Sequence, residues 1–475
     1  MVSPCVVIEE SRIEMERGKV QRKHDGLLRM VKVLNVVMMT VPFAIAWMNY
    51  YSSRTWAPYF AKGNYLIIAL FMVLYITYGH IYDGFAISLC KISEIVYSQS
   101  LAAIVANGFM YVITLLLTKH LPTVWPIMIV FEVQVVISVI WAKLANNWYF
   151  KKYPPKKTVV VYDTREGMET LIKEYGLDSK FEVEKVISVD ECLNAKCAQL
   201  ADVEAVFMCG VHSKDRNVIL KYCVMENIET YVIPRIGDVL MSSARQMHMF
   251  HLPILRVNRY APRIEYLIVK RTIDILVSGL GLIIISPIML ITAIAIKAYD
   301  KGPVFYKQCR LTKDGKKFDV LKFRSMRVDA EKDGVARLST GDKDDRITPI
   351  GKFIRKTRVD ELPQLINILK GDMSLVGPRP ERPEIAEQYE KELPEFRLRL
   401  QAKAGLTGYA QVYGKYNTTP YDKLQMDLMY IAKPGLLEDL RIIFATVKIL
   451  FMPESTEGVA EGQTTASAGK TIEIK

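Results

Sequence analysis

Four apolar stretches in the first third of the chain constrain its fold more than any other feature. They cover residues 31 to 51, 64 to 83, 97 to 118 and 123 to 143. Each is about as long as the ~20 residues that a helix needs to cross the hydrocarbon core of a bilayer. The sequence therefore predicts an α-helical bundle of four membrane spans over residues 31–150. The charged segment 1–30 before it shows no removable signal peptide.

Basic residues at the two ends of this bundle predict its orientation. They are Arg12, Arg17, Lys19, Arg22, Lys23 and Arg29 on one side, and Lys143, Lys151, Lys152, Lys156 and Lys157 on the other. Because positively charged loops stay in the cytoplasm, we expect both ends there, which an even number of spans permits.

Glu132 places a charged side chain within the fourth apolar run, which costs free energy in a membrane unless the side chain faces other helices. Two interpretations are a lipid or ion pathway and a buried carboxyl group hydrogen-bonded within the bundle.

A second region alternates short β-branched segments with helix-like stretches. The predicted strands read TVVVYD, FEVEKVIS, AVFMCG and ETYVIP. Such alternation is typical of a parallel, Rossmann-like α/β domain, which we place at residues 151–255. The turn after its first strand, residues 163–167, holds one glycine, whereas dinucleotide binding needs a glycine-rich turn. A structural or regulatory module is therefore favoured.

A fifth apolar run, residues 275 to 296, is interrupted by Ser286 and Pro287. Lys270 and Arg271 flank one end, and residues 297–327 hold ten Lys or Arg against three Asp, so both ends belong on the cytoplasmic side. Pro287 kinks a helix, and Ser286 can bind a carbonyl that the proline frees. We predict a re-entrant helix over residues 273–297, with an ordinary proline-kinked span as the alternative.

The excess of positive charge limits the class of partner. The formal net charge is +12, which suits anionic lipid head groups, phosphates or nucleic acid. A nucleic-acid site would need basic residues interleaved with exposed aromatic residues on a recognisable fold, and behind four predicted spans we exclude one. Basic residues after the fifth run are instead candidates to neutralise the phosphates of a nucleotide. They are Lys307, Arg310, Lys322 and Arg324.

An acidic pair follows, Asp360 and Glu361, directly before a predicted short helix from Pro363 to Lys370 that Gly371 closes. Two neighbouring carboxylates can hold a Mg²⁺ ion, which would neutralise a diphosphate and leave one oxygen as a nucleophile. Arg355 and Arg358, just upstream, are close enough to bind phosphate oxygens. Taken alone, an acidic pair at a helix start is more often a capping device.

Several motifs in order give the region its resemblance to a known family. They are KRTIDI, the Ser286-Pro287 break, GPVFYKQ, LKFRSM, ITPIGKFIRKTRVDELPQLINILKGDMSLVGPRPE and AGLTGYAQV. Residues 268 to about 452 resemble the bacterial sugar transferases, the monotopic phosphoglycosyl transferases. These enzymes move a hexose-1-phosphate from a UDP-sugar onto polyprenyl phosphate. The bundle and the α/β domain resemble the long form of the family by layout, although the degenerate first turn departs from it.

The resemblance implies roles for individual residues. Asp360 would attack the β-phosphorus of the UDP-sugar, and Glu361 would help to hold Mg²⁺. Arg355 would bind a phosphate, Arg379 would line the nucleotide pocket, and Lys270 with Arg271 would hold the lipid phosphate. A phosphoryl transfer needs mainly positioning and charge neutralisation, which agrees with these roles.

The resemblance also implies partners and a location. The partners would be a UDP-hexose, undecaprenyl phosphate and inner-membrane lipids, and long-form relatives suggest a homodimer. The protein would lie in the bacterial inner membrane with an α-rich catalytic domain, residues 256–452, on the cytoplasmic face. Residues 453–475 are expected to form a disordered tail. Two other functions remain: a membrane glycosyltransferase that releases UDP, and a non-catalytic sensor that binds a nucleotide in the α/β domain and regulates polysaccharide assembly.

Overall fold

A computed structural model describes residues 26–58, 61–118, 120–328, 330, 346–414 and 418–450. The chain divides into two compact units, one up to Ile233 and one from Pro234 onward. Most of the N-terminal segment 1–30 and the whole predicted tail 453–475 lie outside the described residues.

Long apolar helices form the first part of the first unit. They are α1 (Gly26–Arg54), α2 (Ala61–Ile81), α3 (Ile92–Leu117) and α4 (Trp125–Lys152). Each contains one of the apolar runs almost completely, and each is long and apolar enough to cross a membrane. The prediction of several apolar helices at this end of the chain is confirmed.

A buried polar network links these helices. Gln99 of α3 accepts hydrogen bonds from Asn35 of α1 at 3.3 Å and from Ser138 of α4 at 2.8 Å. The Tyr75 hydroxyl of α2 donates to the side-chain Oδ1 atom of Asn35 at 2.9 Å. Buried polar groups in an apolar bundle require such partners. Glu132 is exposed on α4, so its interpretation as a buried, hydrogen-bonded carboxyl group is wrong.

The remainder of the first unit is an α/β region. Its strands are β1 (Lys156–Tyr162), β2 (Phe181–Ser188), β3 (Ala205–Cys209) and β4 (Glu229–Val232). Its helices are α5 (Met168–Glu174), α6 (Val189–Asn194) and α7 (Ser213–Met225). The strands form one parallel sheet in the order β2-β1-β3-β4, which confirms the parallel α/β prediction.

The second unit begins with α8 (Ile236–Ser242) and a hairpin of β5 (Arg245–Met249) and β6 (Leu252–Arg256). The helix α9 (Ile264–Asp300) follows and continues through Pro287 as a single α-helix. Pro287 has no N–H to give to the carbonyl four residues earlier. The Ser286 hydroxyl donates to that carbonyl, of Ile283, at 2.8 Å, as predicted.

Short elements complete this unit. They are β7 (Phe305–Leu311), β8 (Lys317–Phe323), α10 (Pro349–Lys356), α11 (Gln364–Lys370), β9 (Ser374–Val376), α12 (Pro383–Glu392), β10 (Gly405–Thr407), α13 (Tyr409–Tyr413), α14 (Pro420–Ala432) and α15 (Leu436–Leu450). Strands β7 and β8 form an antiparallel hairpin, and β9 pairs with β10 in parallel. An apolar core lies between α11, β9, α14 and α15, with Ile368, Met373, Leu424, Leu428 and Ile442 among its buried members.

Candidate active site

The acidic pair lies in a single tight turn between two helices. After α10 ends, Arg358 has a φ of 54°, which is uncommon for a residue with a side chain. One turn of 3-10 helix, Val359–Glu361, follows, and α11 begins at Gln364. Gly371, with a φ of 93°, ends α11, so the predicted helix is confirmed. The turn brings Asp360 and Glu361 to the start of that helix.

Two cations from separate segments converge on Glu361. Arg379, in the loop after β9, donates to the Glu361 Oε1 atom at 2.8 Å. Lys322, on β8, donates to the same oxygen at 3.3 Å. The side chain of Glu361 is 15% exposed, and charge-assisted hydrogen bonds in such sites are stronger than neutral ones. Glu361 therefore ties β8 and the Arg379 loop to the acidic turn.

The two carboxyl groups have opposite pKa shifts. Burial raises the pKa of Asp360 to about 6, the charge of Glu361 adds to this, and Lys322 opposes it. Burial would also raise the pKa of Glu361, but the charges of Arg379 and Lys322 outweigh burial and hold that pKa below its ordinary value. Glu361 is therefore ionised at neutral pH, whereas Asp360 titrates close to it.

Asp360 is the less constrained member of the pair. Within the described ranges, no residue forms a hydrogen bond with its carboxylate. Arg355 contributes to lowering its pKa, and Arg358 does the same for Glu361, so both arginines lie near the pair. A half-buried carboxylate that three cations act on, Lys322, Arg355 and Arg379, and that is not engaged in these hydrogen bonds is suited to meet an electrophilic phosphorus.

Three glycines allow two loop segments to come into backbone contact. The segments are GPRPE, residues 377–381, and AGLTG, residues 404–408. Gly377 donates to the Thr407 carbonyl at 2.9 Å, and Gly405 donates to the Pro378 carbonyl at 2.9 Å. A Cβ atom at Gly405 would lie 2.1 Å from the Gly377 nitrogen, and one at Gly408 would lie 2.2 Å from the Gly377 oxygen. Only residues without a side chain permit this approach of the two backbones, which positions the loop that carries Arg379.

Arg324 contacts the end of α9 rather than the acidic pair. Its Nη1 atom donates to the Asp300 carboxylate at 2.6 Å, and its Nε atom donates to the Pro303 carbonyl at 2.7 Å. The side chain is 7% exposed. The phosphate-binding role that we predicted for Arg324 from the sequence remains a prediction.

Lys270 and Arg271, near the start of α9, also contact protein groups. Lys270 forms an ion pair with Asp439 at 2.9 Å and donates to the Tyr430 hydroxyl at 3.2 Å. Arg271 donates to the carbonyls of Ile368 at 2.6 Å and Leu369 at 2.7 Å, at the end of α11. Their assignment to the lipid phosphate remains a prediction.

The donor set around Asp360 fits a metal ion that arrives with its substrate. In the part of the chain that the structure describes, no three or more His, Cys, Asp or Glu residues are grouped to hold a metal ion. Mg²⁺ in nucleotide-dependent enzymes is commonly held by one or two carboxylates, with substrate phosphates and water as further ligands. Asp360 and Glu361 are of the right type and number for that arrangement.

A network of buried charges behind the Arg379 loop was missed by the sequence analysis. Glu381 accepts from Lys423 and lies 3.5 Å from Arg399, and Arg399 lies 2.6 Å from Asp427. One signal could have identified Asp427. It recurs at helical spacing with Leu424, Leu428 and Ile431, on the apolar and therefore buried face of α14.

Comparison with known proteins places this unit in a family. The family model described as "Bacterial sugar transferase" matches residues 265–453. A UDP-N-acetylgalactosamine-undecaprenyl-phosphate N-acetylgalactosaminephosphotransferase of Aeromonas hydrophila is 37% identical over 49% of this chain and 54% of its own length. A UDP-glucose:undecaprenyl-phosphate glucose-1-phosphate transferase of Klebsiella pneumoniae is 45% identical over 38% and 40%.

A third relative is matched over nearly its full length. The exopolysaccharide production protein PSS of Rhizobium leguminosarum bv. phaseoli is 41% identical over 38% of this chain and 94% of its own length. The match spans only about half the length of the longer relatives. The acidic turn, β8 and the Arg379 loop all fall within the matched residues, and the chain belongs to the bacterial sugar transferase family.

Proposed function

We propose that this protein transfers a hexose-1-phosphate from a UDP-sugar to undecaprenyl phosphate, as a first membrane step in the synthesis of an exopolysaccharide, capsule or O-antigen. The observation that carries the proposal is the half-buried Asp360–Glu361 pair surrounded by Lys322, Arg355, Arg358 and Arg379. The names of related proteins describe this class of reaction on different sugars. They do not select a hexose for this chain.

The proposed reaction has two phosphoryl transfers. An oxygen of Asp360 attacks the β-phosphorus of the UDP-sugar, a bond from Asp360 to phosphorus forms, and the bond to UMP breaks. An oxygen of undecaprenyl phosphate then attacks the same phosphorus and displaces Asp360, which yields undecaprenyl diphosphate-sugar. Only the ionised carboxylate is a nucleophile, so the surrounding cations assist by stabilising that form.

The other residues would position the reactants. Glu361 orients Lys322 and Arg379, whose cations lie where the diphosphate would enter, and Arg355 and Arg358 would bind phosphate oxygens. Mg²⁺ would be held by Asp360 and Glu361, and it would supply neutralisation of the diphosphate charge. Lys270 and Arg271 are proposed to bind the lipid phosphate, and Arg324 is proposed to bind a phosphate of the nucleotide. Each of these roles requires the side chain to leave the protein contacts described above.

The membrane arrangement is part of the same proposal. We place α1–α4 as four spans ahead of a Rossmann-like domain, and α9 as a re-entrant helix that enters and leaves on the cytoplasmic face of the inner membrane. Both ends of α9 contact the same unit: Arg271 contacts α11, and Asp300 contacts Arg324, the residue directly after β8. A straight helix of 37 residues would be about 55 Å long, so a true span would separate those ends across the bilayer.

A labelling experiment tests that topology. A cysteine in place of Lys313, which is exposed beyond α9, is expected to resist an impermeant thiol reagent in intact cells and to react after lysis. Labelling in intact cells would make α9 a true span.

We also propose that the protein forms a homodimer. Light scattering of the detergent-solubilised protein would measure the mass of the assembly.

The activity is tested by the product that is released. Purified protein, UDP-sugars, Mg²⁺ and undecaprenyl phosphate are expected to give UMP. Release of UDP would identify a glycosyltransferase instead, and release of neither product across a panel of UDP-sugars would favour a regulatory protein. The Asp360→Asn variant is expected to lose the phosphosugar adduct seen by intact mass, whereas Asp319→Asn, at an exposed position of β8, is expected to keep it.

A further inference from the structure

The loop Pro378-Arg379-Pro380 is held almost entirely through its carbonyl oxygens. Pro378 and Pro380 have no N–H groups, so their backbone cannot donate hydrogen bonds. The carbonyls of all three residues accept one: from the Gly405 N–H at 2.9 Å, from Arg399 at 2.8 Å and from Arg310 at 2.9 Å. The carbonyl of Arg379 itself is the one that a buried side chain, Arg399, holds.

Arg399 is buried, and each nitrogen of its guanidinium faces an acceptor. The residue is 2% exposed. Its Nε atom donates to Asp427 at 2.8 Å, its Nη2 atom donates to the Arg379 carbonyl at 2.8 Å, and its Nη1 atom lies 3.5 Å from Glu381. A planar guanidinium can reach these three acceptors at once, whereas a lysine ammonium cannot.

From these contacts we infer that Arg399 is a positioning residue, which fixes the backbone of Arg379 so that its guanidinium stays on Glu361 beside Asp360. The inference rests on the proposed function for its kinetic part. Arg399 touches neither carboxylate of the acidic turn. It acts through one hydrogen bond to the Arg379 carbonyl, and Asp427 and Glu381 hold it in place.

The consequence for the site is positional. Arg379 donates to the Glu361 Oε1 atom at 2.8 Å, and this contact depends on where the Arg379 backbone is held. If Arg399 acts only through Arg379, its replacement lowers activity while Arg379 is present and causes no further loss once the Arg379 side chain is removed. A purely structural role for Arg399 would lower activity in both backgrounds.

The test uses Arg399→Lys in the full-length protein, because lysine keeps a positive charge beside Asp427 and Glu381. The matched control is Arg397→Lys, an exposed position two residues away. For Arg399→Lys, kcat/KM for UMP release is expected to fall on the order of 10²-fold, as for misplacement of a positioning group by ~1 Å. In an Arg379→Ala background, Arg399→Lys is expected to cause no further loss, and a further loss there would count against the inference. The control is expected to match the wild type.

A second measurement does not depend on any activity. Hydrogen exchange of the peptide that contains Gly377 and Arg379, followed by mass spectrometry, reports how firmly this stretch of backbone is held. Exchange of that peptide is expected to be faster in Arg399→Lys than in the wild type. Unchanged exchange in folded Arg399→Lys would overturn the inference. If the wild type releases no UMP, the proposed function fails, while hydrogen exchange still decides the role of Arg399.

Discussion

Asp360 and Glu361 are consecutive in the chain, yet their carboxyl groups are held in different states. Two cations bond one oxygen of Glu361, at 2.8 and 3.3 Å, and keep its pKa below the ordinary value. The pKa of Asp360 is raised to about 6, first by burial and then by the charge of Glu361. Glu361 therefore keeps its negative charge at neutral pH, whereas the charge of Asp360, the proposed nucleophile, changes with pH near 6.

The first prediction concerns pH. Only ionised Asp360 can attack phosphorus, so kcat/KM should rise with pH and level off above an apparent pKa near 6. In Glu361→Gln the neighbouring negative charge is lost while Lys322 and Arg379 remain, so the pKa of Asp360 falls and the acid limb moves to lower pH. The measurement is the pH dependence of UMP release.

Glu384→Gln is the control for this prediction, because Glu384 is exposed on α12 and should leave the profile unchanged. A Glu361→Gln profile that moves to higher pH would contradict the electrostatic account. The activity of Glu361→Gln at its optimum is also expected to be lower than that of the wild type, since Arg379 and Lys322 lose their shared anchor.

The second prediction concerns the contact between the two glycine-containing loops. A Cβ atom at position 405 would lie 2.1 Å from the Gly377 nitrogen, so Gly405→Ala must separate β9 from β10. We expect a loss of several degrees in Tm and of most UMP release. Gly435→Ala serves as the control, since nothing lies within 4 Å of its added Cβ atom. Equal Tm values for both variants would show that the loops can part without cost.

The sequence predicted the apolar helices, the parallel α/β region and the acidic turn because each depends on local pattern. Apolar runs, alternating strand patterns, and a helix that starts at Pro363 and ends at Gly371 are all encoded by residues close together in the chain. The partners of single charges could not be predicted in that way. Lys322 meets Glu361 across 39 residues and Arg271 meets Ile368 across 97, and which cation binds protein rather than phosphate depends on tertiary packing.

Glu132 shows the same limit in the membrane region. The sequence places a charged residue among apolar ones, and the physical cost of that charge suggested that it faces the other helices. The two residues lie on different faces of α4. Gln134 is buried and donates to the Met39 carbonyl at 2.8 Å, whereas Glu132 is exposed.

The third prediction concerns Asn367, which completes the free edge of β8. Its side chain accepts from the Leu321 N–H at 2.9 Å and donates to the Asp319 carbonyl at 2.8 Å, as a neighbouring strand would. Asn367→Leu removes both bonds from the part-buried backbone groups of Leu321 and Asp319, at roughly 0.5–1.5 kcal/mol for each lost bond. We expect a lower Tm and, because Lys322 is the next residue of β8, weaker UMP release. Asn367→Asp keeps the acceptor but places a second carboxylate beside Asp372, which lies 3.3 Å from the Asn367 side-chain nitrogen, so it should lower the Tm as well.

The fourth prediction concerns the buried ion pair of Lys270 and Asp439, whose side chains are 13% and 9% exposed. Removing one partner leaves the other charge buried and uncompensated, which costs about 3–5 kcal/mol. Lys270→Met and Asp439→Asn should therefore each lower the Tm of the detergent-solubilised protein. The double variant should be more stable than the sum of the single effects predicts.

The same variants test whether Lys270 also serves the lipid phosphate. If it does, Lys270→Met should raise KM for undecaprenyl phosphate more than Asp439→Asn does, because only the lysine variant removes the positive charge. Lys352→Met, at an exposed position of α10, should leave the Tm unchanged and provides the control. Equal KM values in the two single variants would assign Lys270 to holding α9 on α15 alone. A Lys270→Met variant with the wild-type Tm would contradict the structural role of the pair.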